Sequence, residues 1–460
     1  MSADPAVAGE EVEYNPYLRE VQADPYPYFE RLRERCPVHR FVIPDADVTR
    51  INDNPLISRT TTEFYTISRY ADVEAALQQH NLFRSWEGPG PDRASWPDGV
   101  GMLQFADEPG HRFQRRIVMQ AIHPRIIRLW EPRIAQIADE LIDGFVERGA
   151  ADISSEYCWA LPIAVFCEIF GLGGPARGSL RGWIQAIIGG FGGDAEAVQA
   201  SFVAFQEAFT FFLNKVTDRR AVIASETDVP DDLLTALIQA EVDGVPFRDD
   251  QLVSALVTMM LGGNDTTASA MGNCLKLLLA SPSHLEQLRA DPGLWPAAVE
   301  EMVRFDSPVQ ALYRTTVGDA EVEGVTIPDD SKVRVMFASA NRDASVFTEP
   351  DRLDFGRDPV ELHRHLGFGT GVHACVGILL ARTDLNVGLR ALFERLPGLR
   401  LDPEREPRRA DATAFLLRSW DELPVVWDPA DPAGRDGCPA GPAGRDGRPA
   451  DPAGRDGRPA

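Results

Sequence analysis

The chain has 460 residues, of which 44% are hydrophobic and 25% are charged, which is typical of a folded globular protein and excludes the disordered and fibrous classes. Its formal net charge of −24 argues against nucleic acid and anionic membranes as partners, because both are bound by basic surfaces. Residues 1–11 have no basic start and no apolar core, so we expect neither a signal peptide nor a membrane anchor, and a cytoplasmic location.

The first elements predicted along the chain are one helix and two strands. Residues 24–33 open with Asp-Pro and predict a helix that starts at a proline. Residues 38–43 and 64–67 are rich in β-branched and aromatic residues and predict strands. The polar stretch 44–62 between them is too long for a tight hairpin, and we interpret it as a surface insertion of unknown purpose.

Residues 83–102 predict an irregular loop, because they are rich in Gly and Pro and include Trp86 and Trp96. A helix then begins with acidic residues and an early proline. His111 and Arg115 share one face of it because they are four residues apart. Judged by their sequence alone, these two residues are solvated surface charges.

The middle of the chain, from residue 125 to about 242, has the period of packed helices. Within it, residues 183–212 are rich in phenylalanine, including Phe191, and are interrupted by glycines. Most of these phenylalanines are expected in an ordinary core.

Residues 250–279 predict a long buried helix whose centre contradicts helix propensity. It reads Gly262-Gly263-Asn264-Asp265-Thr266, and a glycine in a helix interior costs about 1 kcal/mol relative to alanine. An acid in an apolar helix is also destabilising unless it has partners. We therefore expect a functional site here, with a satisfied polar kink as the alternative.

The stretch His365–Gly377 surrounds Cys375 with glycines and is followed directly by a helical pattern. A sulfur at a helix N-terminus is favoured as the thiolate. A lone thiolate fits neither structural zinc nor an iron–sulfur cluster, whereas one axial thiolate suffices for haem iron. A glycine-rich turn around an inert buried cysteine is the alternative.

From residue 431 the chain repeats a decapeptide without large apolar residues, which predicts a disordered tail at 429–460. We also predict a flexible N-terminus at 1–14 and a single domain at 15–428.

Residues Phe368–Gly377 resemble the haem-binding signature of the cytochrome P-450 family, Phe-Gly-x-Gly-x-His-x-Cys-x-Gly, at every fixed position. The resemblance covers about residues 15–428. It implies a mainly α fold, a triangular helix-rich haem domain with a small β-sheet subdomain, with haem b as cofactor and Cys375 as iron ligand. It further implies that Phe368 and Gly369 lie beside the sulfur and that His373 reaches a haem propionate.

The same resemblance assigns roles elsewhere in the chain. It implies that His111, Arg115 and Arg314 bind haem propionates, because cationic donors pair with carboxylates. It implies that Gly262 and Gly263 leave room over the iron and let the helix bulge. Thr266 is then expected to hydrogen-bond dioxygen and Asp265 to relay protons.

A structural cluster is implied as well. Glu301 and Arg304 resemble the family's Glu-x-x-Arg motif, and Arg352 is expected to complete a buried Glu-Arg-Arg cluster.

Six residues are candidate substrate contacts by their position relative to the family, and they suggest a hydrophobic substrate. They are Trp86, Trp96, Phe191, Ala311, Leu312 and Phe415.

The resemblance implies a monomeric bacterial-type monooxygenase that takes electrons from a separate ferredoxin and ferredoxin reductase, uses O2 and does not act on nucleic acid or at a membrane. Arginines in the segment 112–128 are expected to dock an acidic electron carrier. A peroxide-driven or oxygen-free variant of the same fold, and a non-catalytic haem sensor or docking protein, are the alternatives. Both are disfavoured because the acid and alcohol, Asp265 and Thr266, are retained.

Overall fold

The computed structural model of the protein describes residues 12–45, 57–94, 102–174, 176–191, 195–226, 228–410 and 416–428. The predicted disordered tail, 429–460, lies outside these residues, as do residues 1–11 of the predicted flexible N-terminus. Tyr14, the last residue of that predicted segment, has only 4% of its surface exposed. Ordered packing therefore begins before residue 15.

Helices dominate the described chain, in agreement with the spacing of its apolar residues. The mainly α fold class predicted from the sequence is confirmed. The α-helices span Arg19–Ala23, Tyr26–Arg35, Tyr70–Gln78, Gly110–Ala121, Pro124–Asp143, Ala160–Ile169, Ala176–Gly189, Ala195–Ser225, Leu233–Gln239, Asp249–Ala280, Pro282–Ala290, Trp295–Phe305, Phe337–Ala340, Pro359–Leu362 and Ile378–Arg395.

The largest sheet among the described residues has five strands and contains both predicted strands. Val38–Val42 and Glu63–Ile67 pair antiparallel, with Val38 opposite Ile67. The order across the sheet is Val38–Val42, Glu63–Ile67, Lys332–Val335, Leu312–Thr316 and Phe83–Arg84. Smaller sheets join Ile57–Arg59 with Arg93–Ala94, Ala320–Val322 with Val325–Ile327, Glu241–Val242 with Val245–Pro246, Arg408–Arg409 with Trp420–Glu422, and Ala150–Asp152 and Arg400–Leu401 with Pro424–Val426.

The helix Asp249–Ala280, here called the central helix, runs through the middle of the core and is buried along most of its length. Asp249 and Asp250 lie in its first turn, where the helix dipole favours acidic residues. The bulge predicted at Gly262 and Gly263 is wrong, because the α-helical pattern continues across both glycines. The central helix packs against Ala160–Ile169, Ala195–Ser225 and Ile378–Arg395.

A buried charge cluster on the helix Trp295–Phe305 binds the later segment 352–357. Arg304 donates to Glu301 through Nε at 2.7 Å and Nη2 at 2.8 Å. The prediction that Arg352 completes this cluster is wrong, because its side chain is 59% exposed and pairs with neighbouring acids. Arg357 takes that place, with its Nε 3.0 Å from Oε2 of Glu301. Only the backbone carbonyl of Arg352 reaches the cluster.

A second buried charge, Glu87, anchors the predicted loop to the sheet. Its carboxylate accepts hydrogen bonds from Arg59 at 3.0 Å, Arg93 at 2.9 Å and Thr315 at 2.8 Å. Arg59 lies at the end of the segment 44–62, and Thr315 lies in the main sheet. We call these four residues the loop anchor.

Within the described chain, no helix combines the length and the apolar composition that crossing a bilayer requires.

Candidate active site

A cavity of about 390 Å³ lies between the central helix and the segment Gly367–Gly377, here called the cysteine loop. Cys375 lines one wall, and Gly262, Gly263 and Thr266 line another. Two stretches that the sequence analysis singled out separately, more than a hundred residues apart, therefore meet across one space.

The cysteine loop takes its shape from glycines in the left-handed region. Gly369 has φ +66° and Gly371 has φ +71°, which side chains rarely adopt. A Cβ added at Gly371 would lie 2.5 Å from the carbonyl oxygen of Leu77, so this backbone approach requires glycine. The backbone N–H of Cys375 donates to the carbonyl of Phe368 at 2.9 Å, which closes the loop behind the sulfur.

Among the described cysteines only Cys375 is exposed, and it lines the cavity rather than an outer surface. Its thiol is thus screened from bulk water although it is accessible. Burial raises the pKa of this thiol, whereas the backbone N–H of Gly377 and the charges of Arg115 and Arg382 lower it. Gly377 immediately precedes the helix Ile378–Arg395, as the sequence predicted.

The opposite wall is the exposed backbone of the central helix. A Cβ added at Gly262 or Gly263 would meet nothing within 4 Å, so both glycines leave open space. The Thr266 hydroxyl donates to the Gly262 carbonyl at 2.6 Å. Asp265 does not line the cavity; it is buried, with the Ser269 hydroxyl 3.5 Å away. Burial raises the pKa of Asp265 to about 7, partly offset by Ser269.

Cationic and imidazole side chains gather at the edge of the cavity: His111, Arg115, Arg314 and His373 all line it. The rings of His111 and His373 lie 4.2 Å apart between centroids. Burial lowers the pKa of Arg314 to about 10, opposed by the charge of Asp107.

Burial also lowers the pKa of His373 to about 2, helped by the nearby cations, Arg314 first. The ring of His373 is therefore neutral. Its Nε2 lies 3.2 Å from the Ser85 hydroxyl.

These residues fit a haem. Among the described residues, no carboxylate lies within 4 Å of the guanidinium of Arg115 or Arg314, and the buried Nδ1 of His111 has no hydrogen-bond partner. Arg314 donates to the Tyr313 carbonyl at 2.8 Å, and Oε1 of Glu108 lies 3.7 Å from Nδ1 of His111, but the two guanidinium charges have no counter-charge in contact. A buried cation without a counter-charge is destabilising, so the site favours an anionic ligand. A haem would bring two carboxylates for this edge, an iron for the Cys375 sulfur and a flat ring for the glycine wall.

The structure divides the candidate substrate contacts. Phe191 and Leu312 line the cavity. The prediction for Ala311 is wrong, because it packs fully buried in the N-terminal core. The prediction for Trp86 is also wrong, because 42% of its surface is exposed and it does not line the cavity. Trp96 and Phe415 lie outside the described residues.

Several lining residues escaped the sequence analysis, including Phe166, Phe170, Ile188 and Leu233. All are apolar side chains on or beside helices, and nothing in their spacing separates a cavity wall from an ordinary core. Glu300, His365 and Arg382 were also missed; His365 and Arg382 contact the ring of Phe368, and both are bonded to Glu300.

Comparison with known proteins identifies many relatives. Residues 196–292 and 294–420 match the family model described as Cytochrome P450. The chain is 34% identical to Cytochrome P450 107B1 of Saccharopolyspora erythraea over 379 residues, which cover 78% of this chain and 88% of that protein. It is 36% identical to the 6-deoxyerythronolide B hydroxylase of the same organism over 423 residues, 88% of this chain and 96% of that one.

Solved structures agree with these relatives. The structure of Cytochrome P450 CYP109Q5 from Chondromyces apiculatus superposes with a TM-score of 0.76 at 30% identity, and it covers 91% of this chain and 99% of that chain.

Proposed function

Because this chain belongs to the cytochrome P450 family of haem-thiolate monooxygenases, we propose that it inserts one atom of O2 into a hydrophobic organic molecule, with two electrons from a separate ferredoxin. The observation that supports this most is the pairing, across one cavity, of the Cys375 thiol with the Gly262–Thr266 wall. Haem b bound there supplies the redox-active iron at which dioxygen is activated.

In this proposal the chain's own residues hold the cofactor at two places, the iron and the propionates. The Cys375 sulfur is the proximal ligand, and the closed cysteine loop fixes its position. Arg115 and Arg314 hold the propionates, since they lie half-buried and buried at the cavity edge without carboxylate partners among the described residues, and His111, whose Nδ1 lies 3.7 Å from Oε1 of Glu108, joins them there. His373, which lines the same edge, is proposed to reach a propionate as well.

Proton supply falls to Asp265 and Thr266 in the same proposal. A carboxyl with a pKa of about 7 is half protonated at neutral pH, so it can both release and recover a proton. Thr266 presents its hydroxyl at the cavity wall. We propose that Asp265 passes protons towards that hydroxyl and that Thr266 would hydrogen-bond the oxygen substrate in the cavity.

The proposed electron carrier is an acidic ferredoxin, itself reduced by a ferredoxin reductase. Arg112 and Arg116 are exposed but pair with Glu108 and Asp243. Exposed Arg125 and Arg128 have no ion-pair partner among the described residues, and both lie in the first turns of the helix Pro124–Asp143, which follows the Arg115 helix in the chain. Unpaired cations on this surface suit a carrier with the opposite charge.

The proposed substrate is a hydrophobic molecule of secondary metabolism or catabolism, such as a terpenoid, steroid or aromatic scaffold. Aromatic and aliphatic side chains, including Phe191, Leu312 and Leu233, form most of the wall beyond the haem position. Relatives that carry substrate names include a steroid C26-monooxygenase of Mycobacterium tuberculosis, 32% identical, and the 6-deoxyerythronolide B hydroxylase.

The proposal is tested by the spectrum of the reduced holoprotein with carbon monoxide. We expect a band near the wavelength after which the family is named, its loss in Cys375→Ser and its retention in Cys36→Ser, the matched control at a buried cysteine elsewhere. A band typical of histidine-ligated haem in the unsubstituted protein would overturn the proposal. A screen of hydrophobic compounds for shifts of the ferric Soret band then identifies the substrate class.

A further inference from the structure

Glu300, the residue before the buried Glu301, holds two cationic or imidazole groups behind the cysteine loop. Arg382 donates to both carboxylate oxygens, from Nε to Oε1 at 2.7 Å and from Nη2 to Oε2 at 2.6 Å. The Nε2 of His365 lies 2.9 Å from Oε2. Glu300 is mostly buried, with 15% of its side chain exposed, so losing one partner would leave a poorly solvated charge.

The histidine links Glu300 to the backbone of the cysteine loop. The backbone N–H of Gly367 donates to Nδ1 of His365 at 3.2 Å, so Nδ1 carries no proton. The ring proton must then sit on Nε2 and point at Glu300. Glu300 thereby fixes the tautomer and orientation of the His365 ring, which accepts the hydrogen bond of the Gly367 N–H, the first amide of the cysteine loop.

Both partners of Glu300 also flank Phe368, whose carbonyl accepts the Cys375 amide. The guanidinium carbon of Arg382 lies 5.3 Å from the centroid of the Phe368 ring. The ring of His365 lies 5.8 Å away between centroids, tilted by 58°. Phe368 is therefore packed between two groups that Glu300 orients.

Arg382 is also one of two cations whose charge acts on the Cys375 sulfur, the other being Arg115. The carboxylate of Glu300 neutralises Arg382 at direct contact, whereas no described carboxylate lies within 4 Å of the Arg115 guanidinium. The net charge beside the sulfur thus depends on Glu300. None of the roles assigned above includes this residue.

We propose that Glu300 is a positioning residue that sets the reduction potential of the haem iron, by balancing the charge of Arg382 and by holding, through His365, the start of the cysteine loop. This inference rests on the proposed function, in which Cys375 is the iron ligand. Groups one step removed from a metal ligand tune the metal through charge and hydrogen bonding, and here Glu300 supplies both.

Substitutions at Glu300 and Arg382 should shift the reduction potential of the iron in opposite directions. Reduction adds one electron to the site, so an extra positive charge nearby favours the reduced iron and an extra negative charge disfavours it. Glu300→Gln leaves the charge of Arg382 unbalanced and raises the potential. Arg382→Gln leaves the charge of Glu300 unbalanced and lowers it. The double variant removes both charges and returns the potential towards that of the unsubstituted protein.

The test is an equilibrium reductive titration of each holoprotein, followed at the Soret band with mediator dyes. Glu394→Gln is the matched control, because Glu394 pairs with an arginine on the surface of the helix that also carries Arg382. We expect opposite shifts for the two single variants, a shift near zero for the double variant and no shift for the control. Shifts of the same sign, or no shifts, would overturn the proposal. Loosened packing alone would not shift the potential in opposite directions according to the sign of the charge removed.

If Glu300→Gln binds no haem, a second pair of variants at Arg382 still tests the proposal. Arg382→Lys keeps the charge and Arg382→Gln removes it, so only the latter should lower the potential; equal shifts would overturn the proposal. Failure of the proposed function is visible separately, because the unsubstituted protein would then lack the thiolate-type carbon monoxide band from the start.

Discussion

The hydroxyl of Thr266 donates a 2.6 Å hydrogen bond to the carbonyl oxygen of Gly262, one turn earlier in the central helix. The hydroxyl hydrogen is thus engaged inside the helix, and the oxygen is left as an acceptor at the cavity wall. A protonated group bound there can donate to this oxygen, whereas dioxygen, which has no proton, can be held only when the hydroxyl turns away from the Gly262 carbonyl. The immediate neighbour, Thr267, lines the same cavity but is buried.

We expect Thr266→Ala to uncouple electron use from product formation, because the oxygen ligand loses its hydrogen-bond partner. Product formed per electron pair should fall by up to about a hundredfold, the lower end of effects on proton transfer, and hydrogen peroxide should rise to match. The assay measures product, peroxide and reductant consumed. Thr267→Ala is the control and should stay coupled; equal behaviour of the two variants contradicts the assignment.

Asp265→Asn should lose activity and gain stability. The folded pKa of about 7 lies above the unfolded value of about 3.9, so the wild type loses stability as pH rises through this range. Asparagine does not titrate, so the variant keeps this part of the free energy of unfolding, which amounts to at most about 4 kcal/mol for about three pKa units. Urea unfolding at pH 5 and pH 8 should show a stability advantage of the variant that grows with pH. A constant difference would refute the titration.

Arg357, which pairs with Glu301, and Arg352, which was predicted to do so, can be compared as a matched pair of variants. Arg357→Ala leaves part of a buried carboxylate unpaired and should destabilise the protein by about 3–5 kcal/mol, the range for breaking a buried ion pair. Arg352→Ala changes an exposed side chain and should lie within about 0.5 kcal/mol of the wild type. Denaturant unfolding of both variants decides this, and a larger effect at Arg352 would reverse our correction.

Two glycines of the cysteine loop should differ in their tolerance of alanine. Both have positive φ, so each substitution strains the backbone by about 1–2 kcal/mol. Gly371→Ala adds a contact of 2.5 Å with the Leu77 carbonyl, whereas Gly369→Ala has no neighbour closer than 3.9 Å. We expect Gly371→Ala to bind less haem per chain and to melt lower than Gly369→Ala. Absorbance ratios and thermal unfolding measure both, and equal values would contradict the loop geometry.

The sequence was informative where a local rule is broken within a short stretch. The glycines around Cys375 and those before Asp265 are such places, and the structure brings both stretches to one cavity. It was misleading where the partner is chosen in three dimensions. Arg352 and Arg357 are equally charged and five residues apart, and only the path of the folded chain decides which reaches Glu301.

The error at Ala311 has a simpler cause. Leu312 begins a strand, and adjacent residues of an extended chain point to opposite sides. Both residues could therefore not face the same cavity, and the structure gives that face to Leu312. The apolar wall residues Phe166 and Phe170 could not have been recognised at all, because a cavity wall and a core require the same chemistry.

The loop anchor has a consequence for how this protein can diversify. Glu87 is bonded at once to the far end of the segment 44–62 and to the main sheet, while the residues that follow it, Gly88 and Pro89, line the cavity. The described end of the segment 44–62, at Arg59, is thus bonded to the same residue that precedes the cavity wall. A change in the length or sequence of that segment would shift Glu87 and with it Gly88 and Pro89. Evolution of the segment 44–62 would therefore also change the shape of the cavity and the substrates that it accepts.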